Sequence, residues 1–226
     1  MLPVRWLDRR GGWSLSGEIV VFARAPVPAR AKRRLVPALG PEGAAELQGR
    51  MTRRIVAAAV AADVGAVSLW CAPDSGHPSF RELAGRFPIR LRDQRGRGLG
   101  ARMGAAMEDT LRRRSFALLA GSDCPGLGED RLREAAERLA GSAVDAILVP
   151  ALDGGYVLIG LRRFDESLFA DVAWGTERVL GETRRRLRAL RWRWDELEPL
   201  PDIDRPSDLV HLEPAIYSDL VIESNE

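Results

Sequence analysis

Short apolar, β-branched runs alternate along this chain with longer stretches in which apolar residues recur at helical spacing. The short runs predict strands at 18–24, 66–72, 88–94, 116–122, 145–151, 156–161 and, more briefly, within 191–197. The longer stretches predict helices from near Pro41 to about 62, from the glycines at 96–100 to about 114, over 129–139 and over 177–190. Such alternation is typical of an α/β protein, in which a largely parallel sheet is covered by helices on both faces.

The last two long strands are separated only by a tight turn of sequence LDGG, at 152–155. Parallel strands need a long crossover connection, whereas a turn this short joins antiparallel neighbours. The turn therefore predicts a hairpin, and with it a mixed sheet that is mostly parallel.

Length and composition fit one α/β domain with a sizeable core, since 46% of the 226 residues are hydrophobic. The formal net charge is only +2, so no global field favours nucleic acid or a membrane surface as a partner. The longest apolar stretch contains Asp63 and Gly65 and is interpreted as a helix leading into a strand, not as a membrane span. Two cysteines without metal-type spacing suit a reducing compartment, and we expect a cytoplasmic protein.

The two ends of the chain are interpreted separately from this domain. Residues 1–17 lack the apolar core of a signal peptide and are interpreted as a leader. Residues 18–213 are then the α/β domain and residues 214–226 a tail.

The first predicted strand runs into a loop of sequence APVPARAKRRL, which is rich in both prolines and cations. Lys32 is the only lysine among the 34 lysines and arginines of the chain. A lysine is a compact point charge on a flexible stem, which an arginine does not replace at a phosphate. Arg24, Lys32 and Arg34 could converge on a phosphate chain, while Pro26 and Pro28 restrict the loop. The alternative is a solvated basic turn, and the segment does not match a P-loop.

Acidic residues follow two other predicted strands. Asp123 ends a buried strand in LLAGSDCP, and Asp202 and Asp204 follow the final short strand in PDIDRPSDL. Carboxylates at strand ends can hold Mg²⁺, which keeps several waters and bridges substrate phosphates. Asp123 could instead form a turn or cap a helix, and Asp204 could cap a helix beginning near Pro206.

Glycines at 96, 98 and 100 precede a predicted helix in the segment QRGRGLGARM. Their spacing misses the dinucleotide-binding fingerprint, and they follow the third strand, where that fingerprint does not occur. They would let the backbone approach a flat or phosphorylated ligand, although a plain helix-starting loop remains the alternative.

Six segments together occur in the order and spacing of one family: FARAPVPARAKRRLVPALG, QRGRGLGARM, GSDCPGL, PALDGGYVLIGL, VAWGTERVLGET and DIDRPSDL. Over residues 18–209 the chain resembles the GT-A-type transferases found beside radical-SAM and selenodomain proteins, often described as arsenosugar-biosynthesis glycosyltransferases. It is similar, more distantly, to the nucleotidyltransferases that make molybdenum-cofactor dinucleotides and that activate phospholactate. The resemblance implies a GT-A-like α/β/α sandwich with a mixed, mostly parallel sheet.

The resemblance also implies roles for single residues. It places the nucleotide on Arg24, Lys32, Arg34, Gln94, Gly98 and Gly100. It places the acceptor on Gly154, Gly155, Tyr156, Trp174, Gly175 and Thr176. It gives Mg²⁺ or Mn²⁺ the ligands Asp123 and Asp204, with Asp202 as a further candidate, and it matches Asp153 to the acceptor-side turn. We take Lys32, Asp123 and Asp153 as the candidate catalytic residues. Asp153 would serve as general base.

The sequence departs from the family pattern at four points. Ala29 stands where the family usually has Gly, Arg33 where it has Thr, and Arg205 where the late motif has Thr. The turn at Asp123 also lacks a second acid, which makes Asp123 dependent on Asp202 or Asp204.

Three functions follow as hypotheses. The first is a metal-dependent glycosyltransferase that uses a nucleotide-sugar donor and a small-molecule acceptor. The second is a nucleotidyltransferase in which a phosphorylated acceptor attacks a nucleoside triphosphate and releases pyrophosphate. The third is a non-catalytic nucleotide-binding module. The base, the sugar, the acceptor and the oligomeric state stay open.

Overall fold

A twisted sheet forms the centre of the protein, in a computed structural model that describes residues 5–7, 13–15, 17–141 and 143–220. The strands of these ranges are β1 (Arg5–Leu7), β2 (Trp13–Leu15), β3 (Gly17–Arg24), β4 (Gly65–Ala72), β5 (Ile89–Asp93), β6 (Phe116–Gly121), β7 (Ala146–Pro150), β8 (Tyr156–Leu161) and β9 (Trp194–Glu196). Strands β3 to β9 make one seven-stranded sheet in the order β5-β4-β3-β6-β8-β7-β9. The predicted strands are therefore confirmed within a few residues at each end.

Strand β8 is the one member of this sheet that runs antiparallel to its neighbours, β6 and β7. The other pairings of the sheet are parallel. The predicted hairpin at 152–155 and the mixed, mostly parallel sheet are thus both confirmed.

Helices cover both faces of the sheet. They are α1 (Val36–Ala61), α2 (Pro78–Arg86), α3 (Gly98–Leu111), α4 (Glu129–Ala140), α5 (Val179–Ala189) and the short α6 (Pro214–Tyr217). Helices α1, α2 and α4 pack on one face, and α3 and α5 on the other. Strand β3 contributes alternate residues to the two cores, with Val21 in the first and Val20 in the second. This is the α/β/α sandwich that the sequence predicts.

Helix α2 is absent from the sequence-based prediction. Only Phe80 and Leu83 are buried along it, and Gly85 weakens its helical propensity, so its apolar stripe is faint. Its start is defined by Pro78 and by His77, whose Nδ1 accepts a hydrogen bond from the Ser79 N–H at 3.3 Å. The parallel pairing of β4 and β5 requires a crossover of this kind.

Helix α1 begins earlier than predicted but breaks where the sequence predicts its start. Its first turn begins at Val36, and Gly40 then adopts a left-handed conformation with φ of 65°. Pro41 follows and opens the regular part of the helix. A side chain at position 40 would be strained, so glycine is required at this kink.

The two ends of the chain differ from the prediction in detail. The described parts of the predicted leader form β1 and β2, which pair antiparallel, and β3 already begins at Gly17. Residues 214–220 of the predicted tail pack against α1, where Arg50 makes a bidentate ion pair with Asp219 at 2.8 Å and donates to the Ile216 carbonyl. Residues 221–226 lie outside the described residues. No helix in the described part of the chain is long and apolar enough to cross a membrane.

Candidate active site

A cavity of about 790 Å³ opens at the carboxyl-terminal edge of the sheet. Arg24 and Ala72, which end β3 and β4, line it together with Gly121, which ends β6. Because β8 runs antiparallel, its first residue, Tyr156, reaches the same edge. Ligands of open α/β sheets bind beyond these strand ends, so this cavity is the candidate active site.

Most of the residues singled out from the sequence line this cavity. They are Arg24, Lys32, Arg34, Gln94, Gly98, Asp123, Asp153, Gly155, Tyr156, Trp174, Gly175, Thr176, Asp202 and Asp204. The structure thus brings together segments that lie up to 180 residues apart in the sequence, from Arg24 to Asp204. The structure thus places these residues at the cavity, whereas the role of each one is a proposal.

Gly100 and Gly154 are the two predicted ligand-binding residues that do not line the cavity. A methyl group on Gly100 would lie 2.2 Å from the Phe169 carbonyl oxygen and 2.4 Å from the Trp174 Nε1. Gly154 has φ of 91°, and a methyl group there would lie 2.4 Å from the Glu177 carbonyl oxygen. Both glycines therefore allow two chain segments to pack closely, and their ligand contacts stay predictions from the sequence.

Lys32 lies at the cavity wall, but its side chain is almost completely buried. Its side chain is only 3% exposed, and its Nζ lies 2.9 Å from Asp123 Oδ1 and 2.5 Å from the Ile203 carbonyl oxygen, to which it donates. The Lys32 backbone is in the left-handed region, with φ of 43°, which turns the side chain inward. Lys32 thus ties the loop after β3 to the turn after β6 and to the late loop around Ile203.

Three arginines of the loop after β3 carry free charge at the cavity. Arg24, Arg30 and Arg33 are exposed, line the cavity and make no ion pair or side-chain hydrogen bond with any other described residue. Arg34, in contrast, pairs with Asp204. Arg30 and Arg33 are not among the nucleotide-binding residues predicted from the sequence, although both stand in its basic segment.

The acids of the site form a group around Asp202 instead of Asp204. Asp202 is half-buried, and burial raises the pKa of its carboxyl, with a further rise from the nearby Asp153 and a smaller one from Asp123. The Lys32 ammonium opposes these effects on the pKa. Asp204 is engaged by Arg34, and its own N–H donates to Asp208 at 2.9 Å. Asp202 is therefore the acid whose carboxyl is affected by the charges of Asp123 and Lys32, whereas Asp204 is paired with Arg34.

A divalent cation fits this acid group only in part. Among the residues that the structure describes, no three His, Cys, Asp or Glu side chains are close enough to form a metal cage. The Asp123 side chain is 48% exposed, however, and Lys32 contacts only its Oδ1. Mg²⁺ commonly takes one or two carboxylates and completes its shell with water and substrate phosphates. Asp123 and Asp202 suit such a substrate-completed ion.

Part of the cavity wall is aromatic. The rings of Tyr156 and Trp174 meet edge to face, with centroids 6.2 Å apart and an interplanar angle of 84°. The hydroxyl of Tyr156 is buried and burial raises its pKa, so the ring and not the hydroxyl forms the wall. Asp153 lies beside it, its orientation fixed by a hydrogen bond from the Gly155 N–H to Oδ1 at 2.9 Å. This wall can pack an acceptor against aromatic carbon and place a carboxylate next to it.

Gln48 is a supporting residue that sequence reasoning missed. It is buried in α1, where its Nε2 donates to Ser122 Oγ at 2.9 Å and to Thr52 Oγ1 at 3.2 Å. Ser122 in turn precedes Asp123, so Gln48 anchors the acidic turn to the helix. A polar residue on the otherwise apolar face of α1 is the signal that could have revealed it.

Solved structures share the fold of this chain. A protein from Desulfovibrio desulfuricans G20, provisionally described as a nucleotide-diphospho-sugar transferase, is 27% identical, with a TM-score of 0.77 over 86% of this chain and 85% of that one. A nucleotidyl transferase from Methanothermobacter thermautotrophicus is 17% identical, with a TM-score of 0.56 over 90% and 99% of the two chains. A CMP:2-keto-3-deoxy-manno-octonic acid synthetase complexed with CTP is 14% identical, with a TM-score of 0.54 over 91% and 100%. The latter two likenesses concern the fold alone.

Sequence comparison gives the family of the chain. None of the curated proteins matches the sequence. One family model matches residues 55–176, which is more than half of the chain and includes Gln94, Asp123 and the aromatic wall. The chain therefore belongs to the bacterial family described as "Uncharacterized protein conserved in bacteria (DUF2064)".

Proposed function

We propose that the protein is a transferase that uses a nucleotide-activated donor, most simply a nucleotide sugar, and a small-molecule acceptor. The observation that carries this proposal is the charge of the cavity. Six cationic and four acidic side chains line it, so its lining has a net charge of +2. A cavity of this charge at the carboxyl edge of an open α/β sheet suits a phosphate-bearing ligand. The fold likeness to the Desulfovibrio protein supports the nucleotide-sugar form of the proposal.

The nucleotide phosphates would lie against Arg24, Arg30 and Arg33, whose guanidinium groups are free to make charge-assisted hydrogen bonds. These fixed charges would stabilise the negative charge that develops on the leaving nucleoside diphosphate. Mg²⁺ or Mn²⁺, when bound at Asp123 and Asp202, would supply further neutralisation of that charge. Gln94 would lie next to the nucleoside, since its Nε2 donates to the Ala23 and Trp70 carbonyls and leaves its Oε1 for a ligand.

The acceptor would lie against Trp174 and the ring of Tyr156. In glycosyl transfer its hydroxyl oxygen attacks the anomeric carbon, the bond from that carbon to the diphosphate oxygen breaks, and the hydroxyl proton is taken up. Asp153 is the proposed general base, since it is at the aromatic wall and its orientation is set by Gly155.

Nucleotidyl transfer is the second candidate, and the three free arginines favour it. A triphosphate carries more negative charge than the diphosphate of a nucleotide sugar, and three guanidinium groups without a partner among the described residues line the cavity to offset that charge. In this reaction an acceptor phosphate oxygen attacks the α-phosphorus, the bond to the pyrophosphate oxygen breaks, and no base is required.

A ligand screen followed by product analysis tests the proposal. Thermal shift with nucleoside triphosphates and sugar nucleotides, each with Mg²⁺ and with chelator, identifies ligands of the folded state. Turnover then separates the candidates, because a sugar nucleotide yields a nucleoside diphosphate and a triphosphate yields pyrophosphate. Binding without turnover over a broad acceptor panel would leave a nucleotide-binding module, and no binding by any nucleotide would refute the proposal.

A further inference from the structure

We infer that Lys32 is an internal counter-ion of Asp123, and that the site consequently takes up a divalent cation only together with a phosphate-bearing ligand. The inference rests on the proposed function, since it assumes that such a ligand enters the cavity. It assigns Lys32 a positioning role that differs from the direct phosphate contact implied by family resemblance.

The contacts of Lys32 show a charge that is fixed in place. Its ammonium has three N–H donors, of which one faces Asp123 Oδ1 at 2.9 Å and another the Ile203 carbonyl at 2.5 Å. The Ile203 N–H donates in turn to the Asp123 carbonyl oxygen at 2.9 Å, so the two segments that hold the Lys32 ammonium are also joined to each other by main chain. Ile203 is fully buried and belongs to a core cluster with Leu35, which follows the lysine closely in the loop. The ammonium therefore has no alternative position without loss of these contacts.

A fixed ammonium beside Asp123 opposes a second cation at the same carboxylate. At separations of a few ångströms the repulsion between a single and a double positive charge lowers affinity by about tenfold or more, even at a high effective dielectric constant. The net charge of +2 on the cavity lining acts in the same direction. Asp153 and Asp202 attract a cation, but Arg24, Arg30 and Arg33 are unpaired in the described structure and offset that attraction.

A phosphate chain reverses this balance. Its negative charges pair with the free arginines, and its oxygens supply the ligands that the protein lacks. The cation is then attracted by the negative phosphate. Without the phosphate it faces the Asp123 carboxylate, whose charge Lys32 already offsets. Metal and phosphate thus bind cooperatively, and each raises the affinity of the other by the same factor.

Binding of Mn²⁺ to the purified full chain tests this directly. Metal-free protein is titrated with Mn²⁺ alone and with Mn²⁺ plus inorganic pyrophosphate, and retained metal is measured by ultrafiltration, with a protein-free pyrophosphate control. The parent protein should retain little Mn²⁺ alone and at least about tenfold more with pyrophosphate. A parent that binds Mn²⁺ equally tightly with and without pyrophosphate overturns the inference, whatever the variants do.

Variants at Lys32 separate its charge from its hydrogen bonds. Lys32→Gln keeps a donor for Ile203 and removes the charge, so it should bind Mn²⁺ alone at least about tenfold more tightly than the parent. Lys32→Arg keeps the charge and should resemble the parent. Asp123→Asn in the Lys32→Gln background should abolish the gain. Arg112→Gln, an exposed change at the C-cap of α3, is the matched control and should leave Mn²⁺ binding unchanged.

The outcomes distinguish this inference from the proposed function. Unchanged Mn²⁺ affinity in a folded Lys32→Gln variant refutes the counter-ion role, even if the protein transfers sugars or nucleotides. Coupled Mn²⁺ and pyrophosphate binding without affinity for any nucleotide refutes the proposed function and leaves the counter-ion role intact. Circular dichroism and thermal melting confirm the fold of each variant.

Discussion

Gly100 and Trp174 pack so closely that a methyl group on the glycine would come within 2.4 Å of the indole Nε1. This contact joins the start of α3 to the aromatic wall of the cavity. Gly100→Ala should therefore displace Trp174 and Phe169 and destabilise the fold by about 1–3 kcal/mol, the usual cost of overpacking. Chemical denaturation measures the loss.

Gly104→Ala in the same helix is the control for this prediction. A methyl group there would lie 3.6 Å from the Phe169 Cβ, which is ordinary van der Waals contact. Helical propensity then favours alanine, so Gly104→Ala should be neutral or stabilising by up to about 1 kcal/mol. Equal losses of stability for Gly100→Ala and Gly104→Ala would show that the close packing of Gly100 against Trp174 is not the cause of the loss.

Arg33→Ala should weaken binding of the preferred nucleotide by roughly tenfold to a hundredfold, because it removes a free guanidinium from the cavity wall. Isothermal titration at two salt concentrations measures the change, and the loss should shrink at high salt. Arg112→Ala, which removes one exposed ion pair with Glu108, should leave the affinity unchanged.

Asp123→Asn should leave the fold intact and abolish the metal dependence of nucleotide binding. The asparagine Oδ1 can still accept from Lys32, so the loop contacts persist, while the charge that attracts the cation is gone. Asp204→Asn should retain the metal dependence, since Asp204 is engaged by Arg34. Thermal shift in Mg²⁺ and in chelator distinguishes the two variants, and loss of metal dependence in Asp204→Asn alone would contradict this assignment.

The raised pKa of Asp202 predicts that the stability of the ligand-free protein depends on pH. Burial and the Asp153 carboxylate raise the pKa of Asp202 in the folded state, so the folded protein holds its proton to higher pH than the unfolded chain does. Stability should therefore fall as pH rises from the ordinary aspartate pKa of 3.8 through the raised value. Asp202→Asn should melt at higher temperature than the parent at neutral pH, with the difference shrinking in acid.

Asp153→Asn supplies the control for this pH effect. It removes one of the charges that raise the pKa of Asp202, so it should shift the parent's profile towards that of Asp202→Asn. Melting curves for the three proteins across the acid range measure the shift. If the melting temperatures of Asp153→Asn and of the parent depended on pH in the same way, the Asp153 charge would have no effect on the pKa of Asp202.

The sequence predicts the fold well because the strands are buried on both faces and the helices between them are periodic. Residues such as Val20 and Val21 belong to different cores, which produces the unbroken apolar runs that predict parallel strands. The location of the candidate site also follows from the sequence, since the carboxyl ends of parallel strands meet at one edge. Helix α2 escapes prediction because Phe80 and Leu83 alone mark its buried face.

The detailed roles in the site depend on backbone geometry that residue type does not encode. Nothing in the sequence indicates that Lys32 adopts a left-handed conformation and turns inward to Asp123. A glycine such as Gly100 can serve for ligand approach or for close packing, and its close packing against Trp174 is seen only in the structure. Asp202 and Asp204 are likewise equivalent in the sequence until Arg34 is seen to engage Asp204.

The antiparallel direction of β8 has a consequence for how this site can diversify. The proposed donor side is built from loops that leave β3, β5 and β6, whereas the proposed acceptor wall begins at the short hairpin before Tyr156. An insertion in residues 152–155 would reshape that wall while the pairing of β7 with β8 kept its register. On the proposed function, the choice of acceptor could therefore change with the length of the hairpin, while the cationic loop and the acidic turn stayed the same.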